Sequence, residues 1–152
     1  MLRSNYLDSD ESPHITVSHK FLSSMVDIIY NLLSNAIKHS TIERKKLKIS
    51  IEATENKENI IISMINNTEF LGDINIENKK LEKYTSDFSF DDLKILLQKE
   101  GGTGVAKIAS ILKHELNSNG HIELKYIDKN KFYSAIEVSK SCGITLNEHT
   151  NS

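Results

Sequence analysis

Apolar residues recur at helical steps between Phe21 and Ala36, and at alternate positions in several shorter stretches. Leu22, Met25, Ile29, Leu32, Leu33 and Ala36 lie three or four residues apart, which predicts one apolar face of a long helix. Ser18 stands where an N-cap belongs, and the helix is expected to run to about His39, with Ser40 and Thr41 ending it. His14–Val17 is short, alternating and β-branched, and reads as a strand. Residues 47–53 alternate as a half-buried strand does, and residues 60–65 are apolar enough for a central one; the polar run 55–59 joins them as a hairpin. From Glu69 to about Gln98 the pattern loosens. A short helix is expected over 77–84, a turn with Phe88 and Phe90 over 87–90, and a second helix over 91–98.

A further helix opens at the glycine run 101–104, buries Val105, Ile108, Ala109, Ile111 and Leu112, and stops at 117–120 after about Leu116. Residues 122–127 and 132–138 supply two last strands. This order predicts an α/β (α+β) domain, a two-layer sandwich of a mixed sheet with helices on one face. Residues 1–13 are expected to be a flexible N-terminal tail or linker, 14–141 the domain and 142–152 a C-terminal tail.

The long helix carries a second pattern. Asp27, Asn31, Asn35 and Lys38 also fall at helical steps, on another face. Asn is a mediocre helix former, so two of them one turn apart suggest a task beyond packing. The stripe is either a solvated face or a set of groups that holds a metal–phosphate ligand.

Composition narrows the classes. The 26% charged and 38% hydrophobic residues are ordinary for a globular domain, and the net charge of −2 gives no field that would gather nucleic acid. Cys142 is the single cysteine, which excludes an intrachain disulfide and suits a reducing, cytoplasmic setting. No apolar run reaches the roughly 18 residues of a membrane span, so no membrane contact is expected. His14, His19, His121 and His149 have no metal-ligand spacing.

Asn31-Leu32-Leu33-Ser34-Asn35-Ala36-Ile37-Lys38-His39-Ser40 resembles the N box of the ATP-binding domain of sensor histidine kinases, within the GHKL superfamily. Gly101-Gly102-Thr103-Gly104-Val105-Ala106-Lys107-Ile108 resembles the family's G2 box, in the expected order downstream. The resemblance covers residues 15–140. It implies the Bergerat fold, with ATP and Mg²⁺ as cofactors and residues 69–100 as an ATP lid.

The resemblance also assigns residues. Asn35 matches the family's Mg²⁺-ligating Asn, and Asn31 the supporting Asn, so both count as catalytic positions. Mg²⁺ keeps several waters and takes phosphate oxygens, so one side-chain carbonyl suffices. Lys38 either reaches phosphate or is a solvated lysine, and His39 stands where relatives contact phosphate or ribose. Gly102, Thr103, Gly104 and Val105 are expected near phosphate, because glycines permit close approach and a helix start offers free N–H groups. Without the N box, the same glycines would read as a hinge. Ala106 replaces the family's third glycine.

Hydrolytic GHKL branches carry a Glu where Asn31 stands. An amide cannot take a proton near neutral pH; Asn31 thus resembles the histidine-kinase pattern, and that resemblance implies γ-phosphate transfer to a histidine on a separate domain or protein. Asp27 is the one carboxylate on the stripe that could act as a base. At the G1 box Asn66 replaces the Asp that binds adenine, and the glycines that follow it in relatives are missing. This departure keeps a second reading open: a degenerate GHKL-fold interaction domain that responds to nucleotide or has lost catalysis. A stand-alone serine kinase of the anti-sigma type is a third, against which Asn31 counts. His114-Glu115-Leu116-Asn117 resembles the start of a phosphoacceptor motif, but reads as the end of the glycine-run helix.

Overall fold

A computed structural model describes residues 14–82, 84 and 103–147. Strand β1 (His14–Val17) leads into helix α1 (His19–His39), followed by strands β2 (Ile49–Glu55) and β3 (Asn59–Asn67) and helix α2 (Ile74–Glu82). Helix α3 (Thr103–Ser110), a π turn (Ile111–Glu115), β4 (His121–Asp128), β5 (Lys131–Ser139) and β6 (Ile144–Asn147) complete the described order. The turn and second helix expected over 87–98 lie outside the described residues.

Four strands form one sheet in the order β2-β3-β5-β4, and β1 and β6 form a separate two-stranded ribbon. Every described pairing is antiparallel, which corrects the expected mixed sheet. The reason is local. β2–β3 and β4–β5 are hairpins, and the long connection after β3 brings the second hairpin back with β5 against β3. In the first hairpin turn, Asn56 Oδ1 accepts the N–H groups of Glu58 and Asn59.

Ser18 caps α1 as expected: its Oγ accepts the Phe21 N–H at 3.2 Å. The buried face of α1, however, is Phe21, Ser24, Met25, Ile28, Leu32 and Ala36. Leu22, placed on that face by spacing, is 59% exposed, and Ile29 and Leu33 are half-buried at its margin. Leu22, Val26, Tyr30 and Ile37 form a second apolar face, open to solvent. Both faces satisfy helical spacing, so periodicity alone could not choose between them.

Inward residues of β3 and β5 (Ile62, Met64, Ile136, Val138) meet α1 and the α3–π segment in one core. β2 is an edge strand, not a half-buried one. Its inward Ile51 is 46% exposed, because the helix layer does not reach it.

The helix after the glycine run was expected to continue to Leu116. It is α-helical only to Ser110, and the π turn follows. Ile111, Leu112 and Leu116 stay buried, and Ser24 Oγ donates to Glu115 Oε2 at 2.9 Å across to α1. Asn117 ends the segment with a φ of 49°, a left-handed conformation that Asn tolerates. Residues 142–147 do not form a tail: after a short 3-10 turn, β6 pairs with β1 from Ile144 to Asn147. Among the described residues no helix is long and apolar enough to cross a membrane.

Candidate functional site

The C-terminal half of α1, the end of β3 and the middles of β4 and β5 surround a cavity of about 270 Å³. Its position follows from the register. Asn66 pairs with Phe132, and Met64 with Ser134, so Asn66 and Ser134 are diagonal neighbours on the inward face. Thr68 lies two residues beyond Asn66, where the chain still follows the β4–β5 turn: Thr68 N–H donates to Asn130 O and Phe70 N–H to Lys129 O, both at 2.9 Å. Asn66, Thr68 and Ser134 are 4%, 3% and 5% exposed and make a neutral polar floor in an otherwise apolar layer.

The next residue closes the end of the hairpin. Asn67 Oδ1 accepts the Lys48 N–H at 2.7 Å, and its Nδ2 donates to Lys46 O at 3.1 Å. Asn66 and Asn67 therefore divide the work: one points into the cavity, the other staples β3 to the start of β2.

The β4 side is aromatic. Tyr126 stacks on Phe70 with ring centroids 4.4 Å apart and meets Phe132 edge-on at 4.9 Å. Burial pushes the Tyr126 hydroxyl above its ordinary range, and the Glu77 carboxylate adds to this. Asn78 of α2 binds the Tyr126 backbone twice: its Nδ2 donates to Tyr126 O at 3.1 Å, and its Oδ1 accepts the Tyr126 N–H at 2.8 Å. One side chain thus satisfies the edge of β4 and fixes α2, which brings Glu77, Leu81 and, just beyond it, Tyr84 to the cavity wall. Glu77 is ion-paired with Lys80 at 2.9 Å.

The structure brings together only part of the set expected from sequence. Asn35, His39, Asn66 and Val105 line the cavity. Gly104, in the first turn of α3, lies directly on Asn35: a Cβ built there would stand 2.3 Å from Asn35 Oδ1. Asn31 is half-buried and turned to its own helix, its Nδ2 donating to Asp27 O at 2.8 Å. Lys38 and Asp27 are exposed and outside the lining. Thr103 begins α3, and Gly102 lies outside the described residues.

Sequence reasoning passed over Thr68, Ser134, Tyr126, Phe132 and Asn78. For Ser134 a signal existed: it interrupts the inward series Phe132, Ile136, Val138, where every other member is apolar. Among the described residues no three His, Cys, Asp or Glu side chains cluster as metal ligands.

Two solved structures of the catalytic domain of histidine kinase ThkA, both nucleotide-free, share this fold. One superposes with a TM-score of 0.52 and the other, obtained with 1,2-propanediol, with 0.53; each is 21% identical. The matches cover 78% of this chain and 67% and 68% of those chains, respectively. No curated protein matches the sequence. A family match spans residues 8–140, and the chain belongs to that family, described as "y4jQ C-terminal putative histidine kinase domain".

Proposed function

We propose that this domain binds Mg²⁺–ATP in the cavity and presents the γ-phosphate to a histidine on a separate domain or protein, within a cytoplasmic two-component signalling system. The observation that carries the reading is the close approach of Gly104 to Asn35, which lines the cavity. It sets an amide oxygen beside a helix N-terminus, and so a single hard ligand beside the first-turn N–H groups, which have no acceptor within their own helix. About 270 Å³ suits a purine base, with the phosphates left to the α1–α3 junction.

The residues fit the cofactor. Asn35 would give one oxygen to the metal, whose other ligands would be phosphate oxygens and water. His39 and the start of α3 would meet phosphate, and the cavity floor would hold the base. When bound, Mg²⁺–ATP supplies the phosphoryl group and the charge that neutralises it.

The chain's own contribution is positioning. Asn31 offers no base for water, and its amide is held in place by the Asp27 carbonyl. That arrangement supports transfer to an acceptor over hydrolysis.

Calorimetry with ATP, with and without Mg²⁺, tests the reading. Binding strengthened by Mg²⁺, and loss of that increment in Asn35→Ala with the fold intact, is the expected result. Absence of heat at millimolar Mg²⁺–ATP would leave the domain as a non-catalytic interaction module. The neutral Asn66 is the feature that favours this second reading.

A further inference from the structure

We infer that the cavity floor is tolerant between purines and takes guanine nucleotides as well as adenine nucleotides. The inference rests on the nucleotide-site reading above and concerns which base that site admits. Its basis is the chemistry of Asn66, Thr68 and Ser134, all buried and all lining the cavity.

A carboxylate at the end of β3 would only accept hydrogen bonds. It would suit the adenine amino group and repel the guanine 6-oxo group. This floor has no such bias. An amide and two hydroxyls each donate and accept. Asn66 uses one N–H on Asn67 O at 2.9 Å, which keeps Oδ1 and a second N–H for a ligand. The Thr68 hydroxyl has only a long contact of 3.4 Å, to Thr41 Oγ1. Ser134 lines the cavity, and its hydroxyl can rotate to donate or accept and so suit either edge.

The adenine edge presents amino donors and a ring-nitrogen acceptor, which Asn66 Oδ1 and a hydroxyl can meet. The guanine edge presents an oxo acceptor and N–H donors. The same side chains meet these when a hydroxyl or the second amide N–H donates and Asn66 Oδ1 accepts. Leu124, Tyr126 and Phe132 give either base the same apolar wall. Glu77 is the only carboxylate among the described lining residues; it belongs to α2, not the floor, and is paired with Lys80.

The test is calorimetric affinity of the purified chain for Mg²⁺–ATP and Mg²⁺–GTP, repeated on Asn66→Asp. The expected wild-type affinities differ by less than about tenfold, and Asn66→Asp widens the ratio in favour of ATP by about tenfold or more, because an acceptor-only group penalises the 6-oxo edge. ATP binding with GTP weaker by more than about tenfold overturns the inference and leaves the nucleotide site standing. Binding of neither nucleotide overturns the nucleotide site itself. Binding of both with an unchanged ratio in folded Asn66→Asp shows that the floor does not read the base, which also overturns the inference. If Asn66→Asp fails to fold, the wild-type ratio decides.

Discussion

Gly104 and Asn35 are packed so closely that the glycine hydrogen occupies the only space available. A Cβ there would lie 2.3 Å from Oδ1, 2.6 Å from Nδ2 and 2.8 Å from Cγ of the asparagine. Gly104→Ala should therefore displace either the Asn35 amide or the first turn of α3. Alanine also favours the helix by about 1 kcal/mol, which offsets part of the clash in the melting temperature. Binding and stability should separate: Mg²⁺–nucleotide affinity falls about tenfold, or roughly 1.4 kcal/mol, while Tm barely moves. Calorimetry beside a thermal melt checks this, and unchanged affinity would remove the contact from the binding machinery.

Removal of Asn78 should free α2. Asn78→Ala leaves the Tyr126 N–H and C=O on the β4 edge without these partners. The expected cost is about 1–3 kcal/mol, because a half-buried strand edge loses both bonds. Faster hydrogen exchange across residues 74–82, with α1 unchanged, would show that the loss is local. Equal acceleration in α1 would mean that α2 does not open separately.

The two apolar faces of α1 can be weighed against each other. Ile28 is fully buried, whereas Leu22 is 59% exposed. Ile28→Ala should cost about 2–5 kcal/mol in chemical denaturation, and Leu22→Ala about 0.5 kcal/mol or less. Comparable losses would restore Leu22 to the core.

Alkaline pH should weaken the fold partly through Tyr126. Its folded pKa lies above the ordinary 10.0, chiefly through burial and then through Glu77. The folded state therefore holds this proton more tightly than the unfolded chain. The associated stability is complete below the unfolded pKa and is lost as pH rises through the folded one. Denaturant midpoints measured from about pH 9 to 11 should fall less steeply for Tyr126→Phe, which keeps the ring contacts and removes the proton. Parallel profiles for the two proteins would show that the hydroxyl contributes nothing.

Much of the fold was legible because strong local signals agreed with each other. Ser18 followed by the helical repeat gave the start of α1, and alternation gave both hairpins. What sequence could not supply was the competition between elements. Leu22 and Ile28 satisfy the same periodicity, and only the sheet beneath α1 selects Ile28. Ile51 alternates as an inward residue should, yet no helix covers it. Of the motif residues, Asn35, His39, Asn66 and Val105 line the cavity, whereas Asn31 and Lys38, from the same N box, do not. Ser134 and Asn78 were missed because their roles come from register and from an edge strand, which are relations between distant residues. The π turn has no local composition that separates it from a continued α-helix.

The β1–β6 ribbon has a mechanical consequence. His14 pairs with Asn147 at one end and Val17 with Ile144 at the other, so the chain enters and leaves from the same end. A force drawing residues 14 and 147 apart meets the hydrogen bonds one at a time, as in opening a zipper, and never loads them together. Separation would travel inward to the Ser18 N–H bond to Gly143 O, 2.8 Å long, where Gly143 is seated against the Phe21 side chain. Beyond that point the pull acts directly on the first turn of α1. The ribbon would therefore open under small loads, and the helix that carries Asn35 would feel tension only after all four pairs had parted.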